Sequence, residues 1–168
     1  MNSVITRNIA RFLVLVLVQV LIVNHIHFLG FINPYIYILF IILFPINNNR
    51  MIFILLCFVL GLSIDMFSDS GGMHAAASVF IAYIRPVVLK FAFGASYEHQ
   101  TVKFSKTEVG PRITYFSILV FVHHLILFSL EIFNTSNILL ILKKTLFSGV
   151  FTLILCLLLT VLFSRKTR

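Results

Sequence analysis

The stretch that decides the fold is Gly61-Leu62-Ser63-Ile64-Asp65-Met66-Phe67-Ser68-Asp69-Ser70-Gly71-Gly72-Met73-His74-Ala75-Ala76-Ala77. It joins two long apolar segments through a short polar turn that contains a pair of glycines, which are typical turn residues. A connection this short predicts that the two segments are antiparallel neighbours. Cys57, Gly61 and Ser68 share one helical face with Asp65 at its edge, and small residues of this kind let two helices approach closely.

The composition outside this stretch places the chain in a lipid bilayer. Of its 168 residues, 60% are apolar and 11% are charged, whereas about 25% are charged in an ordinary soluble domain. Mean hydropathy is +1.08. A soluble domain of this length cannot bury so much apolar surface in one core. These values also exclude a disordered chain, a coiled coil and a disulfide scaffold.

The apolar segments predict an all-α integral membrane protein, a bundle of six transmembrane helices that forms a single polytopic domain over residues 1–168. The predicted spans are residues 9–29, 31–46, 51–67, 74–93, 111–133 and 138–163. Segment 31–46 is short and is bracketed by Pro34 and Pro45, so a tilted or partial span is the alternative there. The first span follows Arg7 and Arg11 without a small-residue cleavage site, which predicts that it is not removed as a signal peptide.

The distribution of lysine and arginine predicts the orientation. With the N-terminus in the cytoplasm, ten basic residues fall inside and two, Lys143 and Lys144, fall outside. Because basic residues concentrate in cytoplasmic loops, both termini are predicted to be cytoplasmic. The ten are Arg7, Arg11, Arg50, Lys90, Lys103, Lys106, Arg112, Arg165, Lys166 and Arg168. The formal net charge of +8 is explained by this bias, and we expect no nucleic-acid partner.

Two charged residues fall inside predicted spans, where a charge costs at least about 2.5 kcal/mol. Asp65 is near the end of the third span, and Arg85 precedes Pro86 in the fourth. We predict that Asp65, or a polar group beside it, pairs with Arg85 inside the bundle. Two alternatives stay open: Asp65 merely marks the outer end of its span, and Arg85 extends its side chain toward the cytoplasm.

Other reactive side chains do not form a recognisable motif. His123, His124 and Glu131 lie on the fifth span, but a metal site usually needs three or four ligands. Cys57 and Cys156 are isolated in apolar runs and are expected to be buried hydrophobic residues. No local signature connects a nucleophile with a base. We therefore expect no catalytic residue, no metal and no cofactor.

The block from Gly61 to Ala77 resembles the rod shape-determining protein MreD family. In that family a glycine, apolar residues, an aspartate, a short linker, a glycine and a small-residue-rich helix recur at the junction of two spans. On this match Gly61, Asp65 and Gly72 occupy the family's characteristic positions. His74 stands where many members have asparagine or another polar residue. The predicted structural or partner-binding residues are Gly61, Asp65, Gly71, Gly72, His74, Arg85 and Pro86.

The resemblance implies a non-enzymatic scaffold in the bacterial inner membrane. MreD-like proteins belong to the cell-elongation machinery, which organises lateral peptidoglycan synthesis and cell shape. The implied direct partner is MreC. Through it the chain would contact the MreB filament, and RodA with its penicillin-binding protein partner, in addition to membrane lipid.

A second function stays open because the family is similar in fold to the substrate-binding subunits of energy-coupling-factor vitamin transporters. This alternative predicts a polar pocket open to the outside. Five polar residues fall near the predicted outer face: His25, His27, Asn33, Asp69 and Glu131. A membrane-embedded enzyme is the third possibility.

Overall fold

The computed structural model describes residues 2–26, 32–46, 49–94 and 109–164, and these are almost entirely helical. Short 3₁₀ turns at Val23–His25 and Thr135–Asn137 follow the first helix and precede the last. The α-helices are α1 (Asn2–Leu21), α2 (Ile38–Leu43), α3 (Arg50–Ser68), α4 (Met73–Phe93), α5 (Val109–Ile132) and α6 (Ile138–Ser164). The prediction of an all-helical membrane protein is therefore confirmed.

Five helical stretches in the described part of the chain are long and apolar enough to cross a membrane: one in α1 and the 3₁₀ turn after it, and one in each of α3 to α6. The sixth predicted span, segment 31–46, is not confirmed, because α2 within it has only six residues and is about 9 Å long. Proline accounts for this. The residue before a proline is disfavoured in a helix, and Phe44, before Pro45, has an extended backbone with ψ of 140°. The first candidate span runs from Ile5 to His25, through the 3₁₀ turn that follows α1, and residues 27–29 of the predicted span lie outside the described residues.

Segment 32–46 instead runs through the interior of the bundle. Tyr37, Ile38, Ile41 and Ile42 are completely buried, and most of their neighbours are nearly so. A helix that is surrounded on all sides by apolar protein is apolar all round. That is why this segment has the composition of a membrane span although it is packed against other helices.

Contacts between elements fix the direction of each helix. The helices α3, α4, α5 and α6 pack as consecutive neighbours. Asn24 Nδ2, just after α1, donates to Ser68 Oγ at the last residue of α3 over 3.0 Å. The two helices therefore end together, at what we call the Asp69 end of the bundle. The opposite, Arg50 end holds the start of α1 and the end of α6, so both ends of the described chain lie on one side.

The described charges are unevenly distributed along the bundle. The three described carboxylates, Asp65, Asp69 and Glu131, lie toward the Asp69 end together with Lys143 and Lys144, while most of the other described basic residues lie toward the Arg50 end: Arg7, Arg11, Arg50, Lys90 and Arg112. Outward-facing side chains between the ends are large and apolar, as lipid contact requires. The predicted loop at 94–110 falls mostly outside the described residues, and so do His27, Lys103, Lys106 and the basic tail from Arg165.

Candidate functional site

Asp65 joins α3 to the start of α4. Its Oδ1 accepts hydrogen bonds from the Ser70 hydroxyl at 2.6 Å and the His74 backbone N–H at 3.0 Å. Its Oδ2 accepts from the Ala75 backbone N–H at 2.8 Å. The first N–H groups of a helix lack intrahelical partners and attract negative charge. Because the residue before α4, Gly72, has no side chain to cap the helix, a carboxylate from the preceding helix caps it instead.

The three glycines of the junction have two different conformational roles. A Cβ on Gly61 would lie 2.6 Å from the Ala75 backbone nitrogen and closer still to the Ala75 Cα, so only glycine lets α3 approach α4 here. Gly71 and Gly72 have φ of +60° and +91°, values that side chains disfavour. Of the predicted small-residue face, Gly61 therefore lets α3 approach α4 closely, whereas Ser68 is exposed and bonds Asn24 after α1.

Arg85 is buried, with 4% of its surface exposed, and its partners are not those that we predicted. Its Nε donates to the Tyr115 hydroxyl at 2.7 Å. Its Nη2 donates to the backbone carbonyls of Ile42, at 3.3 Å, and Phe44. The guanidinium also lies 5.0 Å from the centre of the Phe53 ring.

The predicted Asp65–Arg85 pair is thus wrong, and so is the alternative of an Arg85 side chain extended toward water. Each residue finds nearer partners in unpaired backbone. Asp65 binds the N–H groups that open α4, and Arg85 binds the carbonyls that close α2. A positive charge at a helix C-terminus is electrostatically favourable. Pro86 follows Arg85 inside α4 without ending that helix, which continues to Phe93.

Polar side chains from the surrounding helices satisfy the irregular backbone of segment 32–46. Gln19 Oε1 accepts from the Ile36 N–H at 2.8 Å, and Gln19 Nε2 donates to the Pro34 carbonyl at 3.1 Å. Ser148 and Thr152 of α6 accept from the N–H groups of Asn33 and Tyr35, at 3.2 and 3.0 Å. At the other end of the segment, Arg11 Nη1 donates to the Leu43 carbonyl at 3.1 Å. Non-helical backbone is tolerated at membrane depth only when protein satisfies it in this way.

A buried cluster of rings lies beside this segment. The Tyr37 hydroxyl is 2.9 Å from His74 Nδ1 and 2.7 Å from His123 Nε2, so it bridges α4 and α5. His124 Nδ1 lies 2.8 Å from the Val120 carbonyl, and its Nε2 lies 3.0 Å from the Thr152 hydroxyl. A carbonyl only accepts, so His124 carries its proton on Nδ1.

A cavity of about 580 Å³ opens at the Asp69 end. Its polar lining comes from the 3₁₀ turn after α1, segment 32–46, the α3–α4 junction and α5: Asn24, His25, Asn33, Tyr35, Ser68, Asp69, Ser70, His74 and Glu131. Four of the five residues predicted to lie near the outer face therefore come together here, and the fifth, His27, is outside the described residues. Within the described ranges, no group of three histidine, cysteine or acidic side chains is placed to hold a metal ion.

Several residues of this interior were not singled out from the sequence. Gln19 gave one usable signal, since it is an amide inside the apolar run Phe12–Val23. Tyr37 and Thr152 gave none, because their partners are 86 and 117 residues away along the chain.

Comparison with known proteins identifies no relative of this chain. No protein-family model, curated protein or solved structure matches the chain.

Proposed function

We propose that this protein is a non-enzymatic scaffold of the bacterial cell-elongation machinery, similar to MreD, that resides in the inner membrane with both termini cytoplasmic. The observation that supports it most is the joint role of the residues on which the resemblance depends. Gly61 sets the spacing of α3 and α4, Asp65 caps α4, and Gly72 makes the turn between them. The three motif residues thus hold the α3–α4 junction in its conformation. Residues with such a structural role are the ones that proteins of one fold are expected to share.

The rest of the bundle is compatible with a binding role. The buried polar groups described above bond mainly to one another or to backbone, which favours one rigid arrangement of helices. Large apolar side chains stay exposed on the long helices, as on α1 at Ile9, Leu13 and Leu17. In a bilayer, such surfaces can pack against the transmembrane helix of a partner. We propose MreC as that partner, with the MreB filament, RodA and its penicillin-binding protein partner reached through it.

Copurification tests this proposal. The tagged full-length chain is coexpressed with the MreC protein of the same organism, extracted in mild detergent and captured by its tag. We expect MreC to elute with it, and an unrelated protein with a single transmembrane helix to be washed away. A chain that elutes as a single symmetric species without MreC would contradict the scaffold proposal.

The cavity at the Asp69 end favours one alternative, a substrate-binding membrane subunit of a vitamin-type transporter. Its volume lies in the range of small-molecule sites, about 300–1,000 Å³, and polar side chains from several elements line it. Mass spectrometry of an organic extract of the purified chain separates the two functions. A vitamin recovered in near-stoichiometric amount supports the transporter subunit, and MreC capture by a chain that carries no vitamin supports the scaffold.

A further inference from the structure

We infer that the cavity at the Asp69 end binds a small organic cation: an ammonium group on an apolar body that also carries a hydrogen-bond acceptor. Cavities between about 300 and 1,000 Å³ bury drug-sized molecules, and this one has about 580 Å³. It is the same cavity that the alternative function uses, but the inference requires no transport. It also does not depend on the scaffold proposal.

The charge of the cavity is opposite to that of the chain. The formal net charge is +8, yet no lysine or arginine is among the described residues that line the cavity, which include Asp69 and Glu131. Lys144, outside the lining, pairs with Glu131 Oε1 at 2.7 Å. Asp69 has no ion pair in the described part of the chain. The remaining ionisable lining residues are His25, Tyr35 and His74, so the cavity has an excess of negative charge that favours a cation.

His74 supplies the second, independent observation. It lines the cavity although only 5% of its surface is exposed. Its Nδ1 lies against the Tyr37 hydroxyl, and its Nε2 has no hydrogen-bond partner among the described residues. Nε2 is not among the fully buried side-chain atoms, so it is open to the cavity that His74 lines. It is therefore available to bond a ligand there.

The neighbouring hydrogen bonds show which kind of partner Nε2 needs. His123 Nδ1 is buried and unpartnered, and an unpartnered acceptor is less costly there than an unpartnered N–H. The His123 proton is therefore on Nε2 and is donated to the Tyr37 oxygen. Tyr37 then donates its own proton to His74 Nδ1, which leaves the His74 proton on Nε2. His74 thus offers the cavity an N–H donor, which requires an acceptor on the ligand.

The walls between these polar groups are apolar and include Leu21, Phe67, Met73 and Leu127. A ligand that suits all three features has an ammonium group for Asp69, an apolar body for the walls and a hydroxyl oxygen for His74. Tyramine has this chemistry and is a suitable probe. 4-Ethylphenol has the same ring and hydroxyl without the ammonium group, so it is the matched control.

Thiol labelling of the full-length chain measures the charge preference directly. Met73→Cys places a thiol in the cavity wall, and Ser136→Cys places one at the same end of the bundle on an exposed turn. The native Cys57 and Cys156 are buried. Labelling rates are compared for a trimethylammonium and a sulfonate methanethiosulfonate reagent. Because clefts of one charge concentrate counter-ions at least about tenfold, we expect the cation-to-anion rate ratio to be about tenfold higher at residue 73 than at residue 136.

Two further measurements complete the test. Tyramine at millimolar concentration is expected to slow labelling of Met73→Cys and to raise the melting temperature of the wild-type chain, whereas 4-ethylphenol does neither. Asp69→Asn is expected to abolish both effects of tyramine. Equal rate ratios at residues 73 and 136, or equal effects of tyramine on the wild type and Asp69→Asn, would overturn the inference. If Met73→Cys does not fold, the melting temperatures decide the matter alone. None of these results alters whether MreC copurifies, so the two proposals fail separately.

Discussion

Replacing Asp65 with asparagine removes half of the cap on α4. The side-chain oxygen of asparagine can replace one of the two carboxylate oxygens. The asparagine NH₂ group takes the place of the other oxygen, and it cannot accept a hydrogen bond. One of the N–H groups of His74 and Ala75, both buried, is left without a partner at a cost of about 1–3 kcal/mol. Loss of the negative charge at the helix N-terminus adds about 0.3–1 kcal/mol. The total is roughly 1.5–4 kcal/mol, a large part of the 5–15 kcal/mol that typically separates folded and unfolded states.

The assay is the melting temperature of the purified chain in one detergent. For a chain of this size the expected loss corresponds to a decrease of about 3 to 16 °C. Asp69→Asn is the control: it makes the same chemical change four residues later, at an exposed position with φ of +50° that asparagine tolerates. We expect its melting temperature to be that of the wild type. Equal melting temperatures for Asp65→Asn and Asp69→Asn would refute the capping role of Asp65.

Three further predictions use the same assay. Gly61→Ala is expected to destabilise the bundle by at least about 1–3 kcal/mol, because the added Cβ would meet the backbone of α4. The control Gly149→Ala is expected to cost less, because its Cβ would meet a phenylalanine ring that can move. Equal losses of stability in the two variants would contradict this. Asp65→Asn and Arg85→Gln are expected to be additive within about 0.5 kcal/mol, since the two side chains bind separate groups; a larger coupling would restore the predicted pair. Gln19→Leu is expected to cost about 2–6 kcal/mol, since it removes the partner of the Ile36 N–H and of the Pro34 carbonyl, and also a longer bond from the Tyr37 N–H. A melting temperature equal to that of the wild type would contradict the role of Gln19.

The parts of the fold that depend on local pattern could be predicted from the sequence. Four predicted spans match α3 to α6 within about two residues at each end, because long apolar runs with clear boundaries dominate them. The antiparallel α3–α4 hairpin followed from the short glycine turn. Segment 31–46 could not be assigned in this way, because burial by protein and burial by lipid select the same apolar residues. The only local sign of its irregular backbone was the pair Pro34 and Pro45.

The partners of the charged residues were harder to predict. A search for an opposite charge led from Asp65 to Arg85, whereas the structure pairs each of them with backbone groups at a helix end. The unpaired backbone groups at a helix end cannot be identified from the sequence until the helix boundaries are known. The cavity was partly predictable, since its polar residues stand at the ends of predicted spans. The link from His74 through Tyr37 to His123 joins three distant parts of the chain, and no local sequence pattern reports it.

The most direct test of the proposed function is the mass of the complex that the intact chain forms in a membrane-like environment. The tagged chain, coexpressed with the MreC protein of its own organism, is captured in nanodiscs and released for native mass spectrometry. The scaffold proposal predicts a species whose mass is the sum of this chain and MreC, and predicts that Asp69→Asn at the cavity keeps it. Spectra that show only the free chain, from a preparation in which MreC is abundant and the chain melts cooperatively, would contradict it.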